Sequence, residues 1–276
     1  MVDDRHGRGG ERPRRPASEG SARGGPRRGN SGSWSGPGRA RPAQPKAATP
    51  DGNRPVDPGP PIPEGIEAKQ LSPEIRRELS TLDRATADAV ARHLVAAGHL
   101  LDEDPQTALS HARAARARSS RIAAVREAVG IAAYHCGDWS QALAELRAAR
   151  RMGSKSSLLA LIADCERGLG RPERAIELAR GPEAAELGGD DADELRIVAA
   201  GARADLGQLE QALTVLSTPQ LDPSRTGSTA ARLFYAYAET LLALGREDEA
   251  LQWFLRSAAA DTEGVTDAED RVSELG

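Results

Sequence analysis

The sequence predicts an all-α protein made of stacked helix pairs behind a long, core-poor tail. Three observations carry this. Five alanines, Ala108, Ala142, Ala175, Ala212 and Ala250, recur at intervals of 34, 33, 37 and 38 residues, the spacing of helix-pair repeats. Each follows a short turn and opens a stretch with apolar residues at helical spacing. The third is a break in composition near residue 63. Residues 1–63 hold 12 of the 18 prolines and 12 of the 28 glycines, with 12 Lys/Arg against 6 Asp/Glu. The rest of the chain has 25 basic and 35 acidic residues, so a net charge of −4 conceals a +6 segment joined to a −10 body.

The first 63 residues contain almost no side chains able to form a core: beyond Met1, only Val2, Trp34, Val56 and Ile62 are large and apolar. Such a segment is expected to be a disordered, basic Arg/Gly/Pro-rich tail. Its last stretch, Pro55 to Pro63, reads as an extended spacer. Arg14-Arg15 is followed by no apolar run, so it does not read as an export signal. No window reaches the roughly 20 apolar residues of a membrane span. Cys136 and Cys165 are too few for a disulfide framework. A reduced, cytoplasmic protein is expected. Three lysines against 34 arginines point to a GC-rich, bacterial source.

The helical domain is expected to span 64–276. Ser72-Pro73-Glu74 starts a capping helix, with Ser as N-cap and Pro at the first helical position, and Ile75, Leu79 and Leu82 follow on one stripe. The first unit, near 87–118, turns at Asp102-Glu103-Asp104-Pro105 and continues through Ala108, Ala112 and Ala115. The clearest unit lies near 123–153. Val125, Val129, Ala132 and Ala133 line its first helix, Gly137-Asp138 ends that helix and caps the next, and Trp139, Ala142, Leu143, Leu146 and Ala149 line the second. Gly130 and Ala142 leave room for close helix crossing. Units near 156–182, 192–219 and 229–260 turn at Gly170, Gly207 and Gly245. The stretches 181–193 and 219–227 are read as lengthened inter-repeat loops. Thr266-Asp267-Ala268-Glu269 reads as a capping box opening a C-terminal cap over 266–275.

Gly130, Gly137-Asp138-Trp139 and Ala142 resemble the tetratricopeptide repeat (TPR) pattern. Ala163/Gly170/Ala175, Ala200/Gly207/Ala212 and Ala238/Gly245/Ala250 match it in part, and Ala96/Ala108 match without a turn glycine. The resemblance covers roughly residues 85–260 and implies a TPR-like α-solenoid of about five helix pairs with flanking capping helices. It further implies that the first helices line a partner-binding groove. By that family's groove positions, the residues facing it are His93, Glu127, Ile131, Tyr134, His135, Asp164, Arg167, Glu194, Ile197, Arg232, Tyr235 and Glu239. No unit carries the Lys/Asn pair of carboxylate-clamp TPR domains. The acidic body favours a basic or neutral partner.

Catalytic chemistry has no motif. Gly153-Ser154-Lys155-Ser156 lacks the spacing of a phosphate loop. No histidine pairs with another at i+3 or i+4, and neither cysteine has a second one nearby, so a metal or Cys/His site requires convergence over long sequence distances. The acidic runs Asp102-Glu103-Asp104 and Asp190-Asp191 are read as solvated loops and caps. The expected function is therefore a non-enzymatic scaffold that binds a peptide or helix of a protein partner, without cofactor or metal. An RNA- or ribosome-associated factor is the alternative, with Arg8, Arg23, Arg27, Arg28 and Trp34 of the RGG-like tail as contacts.

Overall fold

The structure, a computed structural model, describes residues 59–155 and 157–276. Among these residues it is all-α, an α-solenoid of five helix pairs with a helix packed at each end. A short 3-10 turn (Ala68–Gln70) and α1 (Pro73–Leu79) lead into the pairs α2 (Arg84–His99) and α3 (Pro105–Arg118), α4 (Ala123–His135) and α5 (Trp139–Arg151), α6 (Leu159–Gly168) and α7 (Pro172–Ala179). A second 3-10 turn (Ala184–Glu186) precedes α8 (Gly189–Asp205) and α9 (Leu209–Ser217), and the last pair is α10 (Ser228–Ala243) and α11 (Glu247–Ala260). The closing helix is α12 (Ala268–Leu275). Each second helix packs on its own first helix and on the first helix of the next pair, and first helices also meet one another, as α2 with α4, α6 with α8 and α8 with α10.

The turns show why the pairs form. Gly137, Gly170, Gly207 and Gly245 all adopt φ near +70°, a conformation that costs a residue with a Cβ. In each, the glycine N–H and the next N–H bond back to the carbonyls left open at the helix end, as Gly137 to Tyr134 and Asp138 to Ala133. The first pair turns differently, without glycine and over five residues, 100–104, instead of three. Asp104 accepts from Thr107 N–H and Pro105 occupies the first helical position.

All five spaced alanines are fully buried. They belong to the second helices, and the small residues Ala96, Gly130, Ala163, Ala200 and Ala238 of the first helices are also buried. A Cβ on Gly130 would fall 2.7 Å from Leu146 Cγ, so the close crossing exists only because Gly130 has none. Phe234, Phe254, Leu146, Ile162, Leu216 and Leu241 fill the remaining space.

Three buried carboxylates lock neighbouring elements together, a feature absent from the sequence reading. Glu145 of α5 pairs with Arg116 of α3 and, at 2.8 Å, with Arg126 of α4. Glu166 of α6 pairs with Arg147 of α5 at 2.5 Å and Arg171 at 3.3 Å. Asp193 of α8 pairs with Arg196 at 2.6 Å and with Arg225, beyond α9, at 2.5 Å. The acids are 3–7% exposed, whereas all of their partners reach solvent.

Several boundaries differ from expectation. Residues 1–58 lie outside the described residues, but Gly59 and Pro60 lie beside α3: Gly59, at φ 74°, is so close that a Cβ would meet Ala114 Cβ at 2.4 Å. The loop expected over 181–193 contains a 3-10 turn, and its last residues already belong to α8. Asp190 and Asp191 stand in the first turn of α8, where carboxylates suit the helix dipole. The Thr266 capping box does not form. Asp261 accepts from the Val265 and Thr266 backbones and from the Thr266 hydroxyl, so Thr266 is committed before α12 begins, and Asp267 precedes the helix without a side-chain cap bond.

Candidate functional site

Residues at the expected groove positions lie on successive first helices, and most are half-buried. Their polar ends meet one another across the gaps between helices. Packed helix axes stand roughly 8–10 Å apart, within reach of paired long side chains. On α4, the Tyr134 hydroxyl donates to Asp164 of α6 at 2.5 Å, and its ring stands edge-on to Trp139 with centroids 5.2 Å apart. Burial first, and the bond to Asp164 second, push the Tyr134 phenol well above its usual range. Arg167 donates to Asp164 at 2.7 Å and reaches across to Asp205 of α8 at 2.9 Å. Gly201 of α8 permits this reach, because a Cβ there would lie 2.7 Å from the guanidinium carbon. Gly168 of α6 does the same for Trp139, whose ring would meet a Cβ at 2.5 Å.

These residues frame a cleft of about 540 Å³ lined by Trp139, Asp164, Arg167, Gly168, Gly170, Pro172 and Asp205. Two carboxylates and one guanidinium leave its polar rim with one net negative charge. Farther along, Glu194 of α8 pairs with Arg232 of α10, and Glu239 of α10 with Arg271 of α12 at 2.9 Å. Tyr235 packs edge-on against Phe254 at 5.3 Å. Burial and a hydrogen bond to Asp267 raise its phenol above the usual range.

The other expected residues separate from this cluster. Glu127 accepts from the Ser154 hydroxyl at 2.6 Å. Ile131 and Ile197 pack partly into the core. His135 is exposed beside the Tyr134 ring. Arg8, Arg23, Arg27, Arg28 and Trp34 lie outside the described residues.

His93 is a correction. It is 2% exposed, not groove-facing, and its Nδ1 lies 2.9 Å from Nδ1 of His111 on α3. The first pair has no repeat before it, and residue 59 covers the imidazole instead: a Cβ on Gly59 would stand 3.3 Å from His93 Cε1. Burial lowers the His111 pKa from 6.5. A depressed histidine pKa means that the unfolded chain takes up the proton more readily, so stability is lost as pH falls through about 6.5. The thermal midpoint is expected to drop between about pH 7.5 and 5.5. In His111→Gln that slope should flatten; an unchanged slope would refute the assignment.

Trp139, Asp205 and Arg271 were missed as site residues. Trp139 is indistinguishable in sequence from the core stripe of α5. Asp205 did carry a signal, since it stands on the thirteenth groove position counted from Asp193. Arg271 belongs to α12, outside the repeats.

Among the described residues no group of three or more His, Cys, Asp or Glu is placed to hold a metal, and no helix is long and apolar enough to cross a membrane. Cys136 and Cys165 are unbridged, and burial pushes the Cys165 thiol up to about 12. No family model matches the chain, nor does any curated protein. A solved structure similar to it is that of YrrB, described as a TPR protein with an unusual peptide-binding site. The identity is 19% and the TM-score 0.41, over 66% of this chain and 91% of that one.

Proposed function

We propose that the helical domain is a non-enzymatic interaction scaffold whose first-helix face takes an extended peptide or helix from a protein partner. The observation that carries this reading is the cleft at Trp139, Asp164, Arg167 and Asp205. Its volume lies within the roughly 300–1,000 Å³ of ligand-sized sites, and it combines an aromatic wall with a few convergent polar groups. Arg167 holds the space between Asp164 and Asp205, so the aromatic wall and the net negative rim suit a Lys or Arg side chain laid against Trp139 with its charge beside the exposed side of Asp205.

Tyr134 is a poor probe, because removing it strips Asp164 of a buried partner. Asp205 is 40% exposed and serves better. Peptides selected from a display library against the full chain should be rich in basic and aromatic residues. Asp205→Lys should weaken them about tenfold, or roughly 1.4 kcal/mol, with helix content unchanged. A selection whose peptides bind Asp205→Lys as tightly as the natural chain would overturn the reading.

A further inference from the structure

The second helices of the third and fourth pairs are short. α7 has 8 residues and α9 has 9, against 14, 13 and 14 in α3, α5 and α11. Where they stop, α8 is left incompletely covered, and a pocket of about 240 Å³ opens between α7, the 3-10 turn, α8 and α9. Ile176, Ala179, Ala184, Leu195, Ala199 and Val215 supply its apolar wall.

This pocket is separate from the first-helix face. At 100° per residue, the lining positions 192, 195, 196, 199 and 203 cluster on one side of α8, and 194, 197, 201 and 205 on the other, the two centres about 180° apart. Its charge is also of the opposite kind. Three arginines, Arg180, Arg196 and Arg203, line it, and no carboxylate does. Arg196 is fixed in the wall by Asp193 and by the carbonyls of Val215, Leu216 and Pro219. Arg203 gives one nitrogen to Gln208 and keeps other donors. The Arg180 side chain is exposed and makes no hydrogen bond or ion pair among the described residues, its backbone N–H alone bonding back to Ile176 and Glu177. In a body carrying −10, a local rim of arginines around an apolar hole selects against the basic partner expected on the opposite face.

We infer that this pocket is a second docking site, which takes one large apolar side chain of a partner peptide whose flanking residues are acidic. The volume decides for a side chain over a free small molecule: it falls below the roughly 300 Å³ at which sites begin to engulf whole ligands, and it matches a single Leu or Phe. The carboxylates beside that anchor pair with Arg180 and the spare donors of Arg203, charge-assisted and at the rim. The scaffold then joins two partners of opposite charge on opposite sides of α8.

The test uses the full chain and a fluorescent peptide with one Phe between Asp and Glu residues, read by anisotropy at low salt. Binding should weaken at least tenfold when that Phe is replaced by Ser, when Arg180 is changed to Glu, and when the hole is filled by Ala179→Phe. Arg180→Glu removes no side-chain hydrogen bond or ion pair of the fold, and both it and Ala179→Phe should leave the thermal midpoint within a few degrees, so loss of binding is not loss of folding. Asp205→Lys should leave this peptide's affinity unchanged, which separates the site from the groove. Equal binding by the natural chain and Arg180→Glu would overturn the proposal. So would saturable binding of phenylacetate, sensitive to Ala179→Phe, with no binding of the peptide.

Discussion

Gly130→Val is expected to destabilise the helical domain by about 3 kcal/mol, through overpacking and the added cost of a β-branched residue inside a helix. Gly130 lies in the middle of α4, and its missing Cβ is where α5 crosses. That atom would stand 2.7 Å from Leu146 Cγ and Cδ2 and 3.1 Å from the Leu146 backbone nitrogen. A rotamer change relieves the first two contacts but not the third, so the helices must separate. Separation exposes Ala142 and Leu146, both fully buried. Gly130→Ala should cost less, since the gain of about 1 kcal/mol in helix propensity offsets part of the clash. The decisive measurement is a double-mutant cycle by urea unfolding. Leu146→Ala alone costs about 2–5 kcal/mol through its cavity. Combined with Gly130→Val, the new methyls enter that cavity, and the pair should fall short of additivity by at least about 1 kcal/mol. Strict additivity would mean that the two side chains do not compete for one space.

The same crossing shows what was legible in the chain and why. A small residue at a crossing is required by geometry, so its spacing survives in sequence, and Ala108, Ala142, Ala175, Ala212 and Ala250 are all fully buried. The glycine turns are legible for a similar reason: φ near +70° at Gly137, Gly170, Gly207 and Gly245 leaves few alternatives to glycine. Local rules failed where a side chain had a stronger distant claim. Thr266 reads as a cap but bonds Asp261. His93 sits at a groove position by count, yet the first pair has no repeat before it, and His111 takes it inward. Of the site, the first-helix residues Asp164 and Arg167 came from the count, whereas Trp139 required knowing that α6 leaves a gap at Gly168. The short α7 and α9 follow from where α8 and the Arg225 loop begin, a tertiary choice that periodicity does not encode.

The buried carboxylates were illegible for the plainest reason: Glu145 is separated from Arg116 by 29 residues and from Arg126 by 19. Their removal should nonetheless have the largest effect of any polar substitution. In Arg116→Ala/Arg126→Ala the Glu145 side chain, 7% exposed, loses both partners. Stranding a buried charge costs about 3–5 kcal/mol. Removing the acid instead is milder, because Arg116 and Arg126 are 37% and 24% exposed and can turn toward water. Adding Glu145→Leu to the double variant should therefore restore most of the lost stability, since an apolar residue of similar volume suits the site among α3, α4 and α5. Recovery would show that the arginines serve to neutralise an acid already committed to the interior. A triple variant no more stable than the double would show instead that the arginine stems, packed along α5, supply the stability themselves.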